Sequence, residues 1–316
     1  FVQMLVQLPL IFKTAYGPTG PLEVFGEASR KIFKRVGVGT VGIAATQINI
    51  LVTTILATGT VVGAVSWLNY AFRLFQFPVG ILGVSIAGSN LVHFSEAWKR
   101  DDKKGAVDIL GTSIYFALLT IMPAFSLMWV LSEPTVQIIF QRGAFDAQDA
   151  ELTAMGLRCY LLGLPSYAFY KILGPTFFSI DRPKIPVAIS VGCILFNLAF
   201  CIVLVPLYGF QVLALGTSLS MLLNSGLQCL VAKRLLVLPL SFFINIRHFK
   251  ILIAAGICFA VTQWLYGQFN FPVDHLFNSM VYFALCVLAG SVSYLLALLL
   301  LGERNLFSFF RRKKSQ

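Results

Sequence analysis

Long apolar stretches recur along the whole chain and constrain its fold more than any other feature. Eight of them reach the length of about 20 residues that an α-helix needs to cross a hydrocarbon core of about 30 Å. Each stretch is continuous and does not alternate with polar residues, which favours helices over the strands of a membrane barrel. The sequence therefore predicts an all-α polytopic membrane protein. The predicted spans are 37–58, 62–94, 107–131, 152–178, 185–206, 210–232, 250–267 and 277–301.

Composition and segment length refine this prediction. Hydrophobic residues make up 58% of the chain and charged residues only 12%, which excludes a soluble globular domain. The 62–94 window is longer than one span needs, so part of it should be tilted, broken or exposed. The chain begins FVQMLVQLPLIFK, without an initiator Met and with an apolar run too short to span. We therefore expect it to start inside a helix of a longer protein.

The positive charges are distributed unevenly between the two sides of these spans. If the partial first helix ends in the cytoplasm, nearly all of the 24 Lys and Arg residues fall on the cytoplasmic side, while Arg142 lies on the other. This asymmetry follows the positive-inside rule and predicts a cytoplasmic C-terminus. The net charge of +11 is then topological, so we expect contact with anionic membrane lipids and no binding of nucleic acid. Segments 22–37 and 307–314 are predicted to lie on the cytoplasmic leaflet.

Arg73 is the basic residue most deeply placed in apolar sequence. It lies in the run WLNYAFRLFQFPVGILGVSIAG, and the nearest acids in sequence are Glu27 and Glu96. Placing Arg at mid-membrane costs about 2.5–3.5 kcal/mol on insertion scales, so such a residue usually faces a cavity or a partner. Two interpretations stay open. Arg73 binds an anionic ligand in a cavity, or it pairs with a carboxylate from outside this sequence.

Lys171 and Arg158 are the other two cations inside predicted spans. Lys171 precedes Gly174-Pro175, which predicts a helix break, and it either faces a cavity or extends towards the membrane surface. Arg158 lies about two turns from the outer surface, where its side chain is long enough to reach the headgroups. All thirteen Asp and Glu residues fall in loops or at helix ends. A cavity lined by these helices would therefore be cationic and suit a phosphate or pyrophosphate.

Sites for metals, cofactors or catalysis are not predicted. The six cysteines all lie in apolar runs without metal-ligand spacing, which is typical of small buried residues. No HExxH, GxSxG or P-loop motif occurs, and Asp101-Asp102 lies in the solvated turn KRDDKKG. The chain is therefore not expected to be an enzyme. In the outer loop, Asp146 is predicted to cap the following helix.

Four stretches resemble a known family. The run at 67–88, together with TQINILVTTILATG (46–59), FQRGAFDAQDAE (140–151) and GPTFFSIDRPKIPV (174–187), is similar to the MurJ/MviN family of bacterial lipid II flippases. These belong to the wider multidrug/oligosaccharidyl-lipid/polysaccharide exporter superfamily. The stretches follow the family's order and spacing across nearly all of the chain.

The resemblance implies an architecture. Family members have fourteen transmembrane helices, with two six-helix lobes around a central cavity and two additional C-terminal helices. On this basis residues 1–36 hold the end of helix 6 and a cytoplasmic amphipathic linker. Residues 37–235 form the second six-helix lobe, and 236–316 form helices 13 and 14 with a basic tail. The resemblance also implies a monomeric transporter in the bacterial cytoplasmic (inner) membrane.

The resemblance also assigns roles to individual residues. Arg73 matches the helix 8 arginine that lines the cationic cavity and is implicated in binding the lipid II pyrophosphate. Lys171 matches a lysine of some members, and Arg158 is the third candidate for substrate binding. The rest of the helix 8 motif, which is expected to shape a bent helix, consists of Gln76, Pro78, Gly80 and Gly83.

Three positions depart from the family pattern. Phe72 and Thr53 stand where members usually have Asp, and Val92 replaces a usual Pro. The loss of the helix 7 acid at Thr53 argues against a sodium site of the kind proposed for part of the family. The loss of the acid at Phe72 leaves the charge of Arg73 less compensated.

The sequence thus predicts a lipid II flippase. It would move undecaprenyl-pyrophosphate-linked peptidoglycan precursor from the inner to the outer leaflet by alternating access, for cell wall biogenesis. The alternatives are a related exporter of another polyprenyl-linked oligosaccharide or of drugs, and a non-transporting degenerate member. A membrane enzyme such as a polyprenyl-phosphate glycosyltransferase would need carboxylates or histidines gathered at one membrane face, a pattern that is not found.

Overall fold

The computed structural model describes residues 26–82, 88–239, 242, 245–269 and 276–303. Within these ranges the chain forms eleven α-helices and no strand, which confirms the all-α prediction. In chain order the helices are α1 Glu27–Thr58, α2 Ala64–Leu82, α3 Gly88–Lys99, α4 Lys103–Val130, α5 Ser132–Phe140, α6 Ala147–Leu161, α7 Leu164–Ser179, α8 Lys184–Tyr208, α9 Gln211–Leu235, α10 Ile246–Gln268 and α11 Leu276–Leu300.

In the part of the chain that the structure describes, five helices are long and apolar enough to cross a membrane by themselves. They are α4, α8, α9, α10 and the stretch Phe277–Leu300 of α11, and each coincides with a predicted span. A shorter apolar stretch, Gly42–Thr58, ends α1, which is 32 residues long. From residue 27 the predicted amphipathic segment therefore continues into the following span as one helix. The predicted segment at 307–314 lies outside the described residues.

The 62–94 window contains two helices. α2 ends at Leu82 and α3 begins at Gly88, while residues 83–87 lie outside the described part of the chain. Pro78 lies within α2, where it supplies no N–H to the carbonyl of Leu74. The window is therefore not one regular span, in agreement with the sequence.

The predicted span at 152–178 consists of two helices. The chain is interrupted at Leu162 and Gly163, which separate α6 from α7. Pro165 explains the position, because it cannot donate to the Leu161 carbonyl and is tolerated in the first turn of a new helix. The break predicted at Gly174-Pro175 is wrong, since α7 continues through Pro175 to Ser179.

The helices pack so that α6 and α7 occupy the middle of the lobe. α6 contacts α2, α5 and α9, whereas α7 contacts α4 and α9 more extensively than α2. α8 lies between α1 and α9. The core is formed by buried aromatic and aliphatic side chains, with Phe75, Phe177 and Leu157 among the largest. Asp146 caps α6 as predicted, because its carboxylate accepts a hydrogen bond from the Asp149 N–H at 2.9 Å.

The α10–α11 hairpin docks against α4. Glu303, only 4% exposed, accepts a hydrogen bond from the Tyr115 hydroxyl at 3.0 Å and lies 3.6 Å from the Lys250 ammonium. Gly302, at φ +76°, turns the chain after α11 and directs Glu303 back towards the lobe. Closer to the middle of α4, the Tyr294 hydroxyl donates to the Leu119 carbonyl at 2.8 Å. The hairpin is thus joined to the lobe by specific polar contacts as well as apolar packing.

Candidate functional site

One face of α2 is polar and exposed. Along it the spacing alternates between three and four residues, which places the side chains in one stripe of the helix. The opposite face is buried and includes Trp67, Ala71 and Phe75. The members of the exposed stripe, which we call the α2 polar face, are Ser66, Asn69, Arg73, Gln76 and Gly80.

Arg73 is the charged residue of the α2 polar face. It lies near the middle of a helix 19 residues long, or about 14 Å from either end. The guanidinium remains charged in any protein environment and offers five N–H donors in a planar fork. A group of this kind at this depth requires an anion, a polar partner or water.

An aromatic cluster packs behind the polar face. The Phe72 ring lies 5.9 Å from that of Phe75 and 5.4 Å from that of Tyr160 on α6. Phe72 is half-buried in these contacts. The position where the family usually has an acid therefore belongs to the core of this protein and supplies no negative charge to Arg73.

Lys171 lies on the helix next to α2. Its ammonium is 5.2 Å from the centre of the Tyr167 ring, within the range of a cation–π contact. Tyr167 in turn meets Phe75 of α2 edge-on at 6.0 Å. The Tyr167 ring beside Lys171 therefore contacts the buried face of α2, which is opposite the face that carries Arg73.

Arg158 lies elsewhere in the lobe. Gly156 and Tyr160 form the side of α6 that meets α2, and Arg158 is two residues from each, about 200° around the helix. Its Nε donates to the Ser132 hydroxyl at 2.7 Å, and its charge lies near Tyr266 of α10. The structure does not bring Arg158 together with Arg73.

The remaining motif residues divide between core and surface. Gln76 and Gly80 are exposed on the α2 polar face, Pro78 is buried, and Gly83 lies outside the described residues. Thr53 donates its hydroxyl to the Asn49 carbonyl within α1, and Val92 is exposed on α3. The role of this motif in shaping a bent helix stays a prediction.

Two interhelical hydrogen bonds of the lobe were not anticipated from the sequence. Trp67 Nε1 donates to the Asp149 carboxylate at 2.7 Å, and Asn197 Nδ2 donates to the Asn49 side-chain oxygen at 3.0 Å. Polar residues inside apolar runs could have pointed to such contacts, but not to their partners. Across the ranges that the structure covers, His, Cys, Asp and Glu form no group of three that could hold a metal ion.

The geometry can be compared with known proteins. The sequence model of the family described as "Lipid II flippase MurJ" matches residues 1–301. This chain belongs to the lipid II flippase MurJ family. The match includes all of the described helices, and therefore α2 with Arg73 and α7 with Lys171.

Similar relatives carry the same family name. A probable lipid II flippase MurJ from Buchnera aphidicola (Acyrthosiphon pisum) is 28% identical over 98% of this chain and 61% of its own length. The lipid II flippase MurJ of Burkholderia cenocepacia is 28% identical over 99% of this chain and 61% of its own length. The chain thus spans about three fifths of these MurJ relatives.

Solved structures show the same fold. One described as "Lipid II flippase MurJ, inward closed conformation" aligns with 92% of this chain and 58% of its own, with a TM-score of 0.67 and 23% identity. An outward-facing multidrug resistance MATE family transporter aligns with 82% of this chain and 62% of its own, with a TM-score of 0.52 and 15% identity. The chain therefore has the fold of one six-helix lobe of a MurJ/MATE-like membrane transporter, followed by two C-terminal helices.

Proposed function

We propose that this chain is the second lobe and C-terminal hairpin of a lipid II flippase. The protein moves undecaprenyl-pyrophosphate-linked peptidoglycan precursor from the inner to the outer leaflet, for cell wall biogenesis. The observation that carries the proposal is Arg73 at mid-helix on the exposed α2 polar face of a MurJ family member. No covalent bond is made or broken, so the protein acts as a transporter and not as an enzyme.

Arg73 supplies the chemistry that a pyrophosphate needs. Its planar fork binds two phosphate oxygens at once, and hydrogen bonds between ionised groups are about twice as strong as neutral ones. Lys171 stays a second candidate cation, on α7, where its ammonium rests on the Tyr167 ring. Arg158 faces α5 and α10, so we assign it to packing between the lobe and the hairpin and not to the substrate.

Alternating access follows from the lobe architecture. Residues 37–235 move as one lobe against a partner lobe, with the substrate held between them, while residues 1–36 hold the end of helix 6 and the linker. Residues 236–316 contribute the hairpin and the tail, and the polar contacts of Glu303 and Tyr294 keep the hairpin with the lobe. The transporter acts as a monomer, because the α2 polar face meets the partner lobe of the same protein.

The proposed location is the bacterial cytoplasmic membrane, with the C-terminus in the cytoplasm. Basic residues lie at the ends of α3, α7 and α9 and at the starts of α4, α8 and α10, which face the same side in this topology. There they bind anionic lipid headgroups, each contributing about 1 kcal/mol near the surface. The described residues concerned are Lys99, Arg100, Lys103, Lys104, Arg182, Lys184, Lys233, Arg234, Arg247 and Lys250.

Rescue of depleted cells tests this proposal. The native gene is shut off, and intact protein with Arg73→Ala or Arg142→Ala is supplied. Arg142 is the matched control, because it is an exposed loop arginine that contacts a carbonyl of its own helix end. We expect Arg142→Ala to sustain wall synthesis and Arg73→Ala to insert normally but fail to expose lipid II in the outer leaflet. Normal lipid II exposure with Arg73→Ala would contradict the proposal.

The same assay addresses the alternatives. If depletion leaves lipid II exposure intact but another polyprenyl-linked oligosaccharide accumulates inside, the protein is a related exporter. If depletion changes neither, the protein is a non-transporting member. The MATE family transporter shares only its fold with this chain, so the comparison does not support drug export.

A further inference from the structure

The α2 polar face differs from the exposed face of α8. On α8 the exposed side chains of the middle turns are apolar and include Leu195, Ile202 and Val203, which suit the hydrocarbon core of a membrane. On α2 the exposed stripe instead carries an amide side chain one turn away from Arg73 in each direction. Polar side chains are costly in hydrocarbon, so the α2 polar face meets water or a polar ligand.

Asn69 lies one turn before Arg73 on this face. Both side chains are exposed, and residues i and i+4 of a helix lie one above the other with Cβ atoms about 6 Å apart. Helical side chains lean towards the N-terminus, so the Arg73 guanidinium extends towards Asn69 and away from Gln76. The helix itself therefore places the guanidinium and the Asn69 amide side by side.

The amide of Asn69 has a fixed orientation. Its Nδ2 donates to the Val65 carbonyl at 2.8 Å, one turn back along α2. The Oδ1 atom lies on the other side of the planar amide, so it points away from that carbonyl and stays open to accept a hydrogen bond. Asn69 thus presents an oriented acceptor next to a cationic donor.

Arg73 and the Asn69 oxygen are both left unused by the protein. Within the ranges that the structure describes, the Arg73 guanidinium forms no hydrogen bond or ion pair, and no protein donor reaches Asn69 Oδ1. The two groups are neighbours, yet they do not bond to each other. Donors and an acceptor that are adjacent, exposed and unpaired are available together to a third molecule.

A diphosphate alone does not satisfy both groups. Ionised phosphate oxygens accept from Arg73 but have no proton to donate to Asn69 Oδ1. A prenyl chain has no donor at all. A sugar has hydroxyl and N–H donors, and the spacing of about 6 Å between the two side chains corresponds to the distance from a phosphorus to the ring substituents of the sugar it carries. The pair therefore matches a glycosylated diphosphate.

We propose that Asn69 is a specificity-determining residue, whose Oδ1 accepts a hydrogen bond from the sugar attached to the diphosphate that Arg73 holds. This inference rests on the proposed function and deepens it, because it makes the carbohydrate part of what the α2 polar face recognises. Arg73 provides affinity for any prenyl diphosphate, and Asn69 favours those that carry a sugar. The sugar then lies along the N-terminal half of α2, where Ser66 continues the exposed polar stripe.

The test compares a glycosylated and an unglycosylated probe lipid. Affinities of the intact purified protein for lipid II and for undecaprenyl pyrophosphate are measured for the native protein, Asn69→Leu and Arg73→Ala. Asn69→Leu should lower the affinity for lipid II about fivefold, the size of one neutral hydrogen bond, and leave that for undecaprenyl pyrophosphate unchanged. Arg73→Ala should lower both affinities at least about tenfold, because it removes a charge-assisted contact that the two lipids share.

Thr120→Val is the matched control. Thr120 is exposed on α4, and its hydroxyl donates to the Phe116 carbonyl one turn back at 2.9 Å, as the Asn69 amide does on α2. The variant loses a polar group of the same kind on another helix, and neither affinity should change. If Asn69→Leu does not accumulate in the membrane, Asn69→Ala replaces it, since it also lacks the amide and favours a helix.

Asn69→Asp tests whether the oxygen is the group that matters. The carboxylate keeps an acceptor at the same place but adds a negative charge beside the diphosphate. Both affinities should therefore fall together, while the ratio between them stays near the native value. A ratio that falls as far as in Asn69→Leu would show that the substrate uses the amide N–H, and the acceptor role would be wrong.

The outcomes separate this inference from the proposed function. Equal affinities of native protein and Asn69→Leu for lipid II, an equal fall for both lipids, or a fall in Thr120→Val as well would each overturn the role of Asn69 while leaving the function intact. If Arg73→Ala leaves both affinities unchanged, the proposed function itself fails. A loss confined to lipid II in Asn69→Leu, with a loss for both lipids in Arg73→Ala, supports both.

Discussion

Trp67 and Asp149 are joined across the ends of α2 and α6 by a hydrogen bond of 2.7 Å from the indole Nε1 to the carboxylate. The other carboxylate oxygen of Asp149 accepts from the Asp146 N–H, so the same side chain completes the capping box of α6 and joins α6 to α2. Trp67 is buried, and its ring packs against Phe210 at the turn between α8 and α9. Helix α2, the start of α6 and the turn between α8 and α9 therefore meet at Trp67, six residues before Arg73.

Trp67→Phe should destabilise the protein while keeping an aromatic ring in place. The change leaves one oxygen of the Asp149 carboxylate without its indole donor, at an expected cost of about 1–3 kcal/mol. Thermal unfolding of the purified protein measures this. Glu151→Gln, an exposed change just beyond the first turn of the same helix, is the control and should shift the midpoint little. Equal midpoints for the two variants would show that the hydrogen bond does not stabilise the lobe.

The partly buried ion pair of the hairpin should be sensitive to the loss of either partner. Lys250→Met leaves the buried Glu303 carboxylate with the Tyr115 hydroxyl as its hydrogen-bond donor, and because the Lys250 side chain is itself 26% exposed we expect a cost of about 1–3 kcal/mol. Combining it with Glu303→Gln should recover part of the loss, because neither charge then remains. Unfolding midpoints of the single and double variants measure this coupling. The exposed pair of Lys103 with Asp101 is the control, and Lys103→Met should change stability by less than about 1 kcal/mol.

Arg158 and Arg73 should respond oppositely when each is replaced by Ala. Arg158→Ala removes the hydrogen bond to Ser132, which should lower the free energy of unfolding by about 1–3 kcal/mol and the unfolding midpoint with it. Lipid II export should be maintained in the protein that remains folded. Arg73→Ala should keep the midpoint and lose export, because its side chain is exposed on the α2 polar face. If the Arg158→Ala protein folds but does not export lipid II, Arg158 belongs to the substrate site and the prediction is wrong.

Restoring the usual family acid at position 72 should not improve this protein. Phe72→Asp would place a carboxylate against the Phe75 and Tyr160 rings, where desolvation without a partner should cost at least about 2 kcal/mol. Phe72→Leu, which keeps the site apolar, should cost less. Expression and thermal unfolding measure both changes. An aspartate variant as stable as the leucine variant would mean that position 72 faces a polar environment.

The fold could be predicted to the extent that it follows from hydrophobicity. Apolar length located α4, α8, α9, α10 and α11, and the spacing of Asp146 and Asp149 located the start of α6. The division at Gly163 was missed because apolar runs continue across it, and Gly174-Pro175 seemed the stronger breaker. Pro165 decides the outcome, since a proline begins a helix more readily than it ends one, while packing against α4 and α9 holds α7 together around Pro175.

The candidate site was only partly accessible to sequence reasoning. Arg73 could be found because an Arg in an apolar run is costly, whichever fold surrounds it. The same reasoning grouped Arg158 with it, since depth in a span says nothing about which side of a helix a residue occupies. Only the packing of Gly156 and Tyr160 on α2 shows that Arg158 faces the other way. The hydrogen bonds of the Ser218 hydroxyl at the end of α6 had no signal at all, because their acceptors are the backbone carbonyls of Tyr160 and Cys159, 58 and 59 residues away.

Photocrosslinking from the α2 polar face tests the central claim most directly. A photoreactive amino acid replaces Gln76, one turn from Arg73, in intact protein within cells that synthesise lipid II; Leu223, exposed on α9, is the control position. The account predicts that Gln76 captures lipid II, that Leu223 does not, and that Arg73→Ala abolishes the capture. Lipid II captured equally from both positions, or from Gln76 regardless of Arg73, would contradict it.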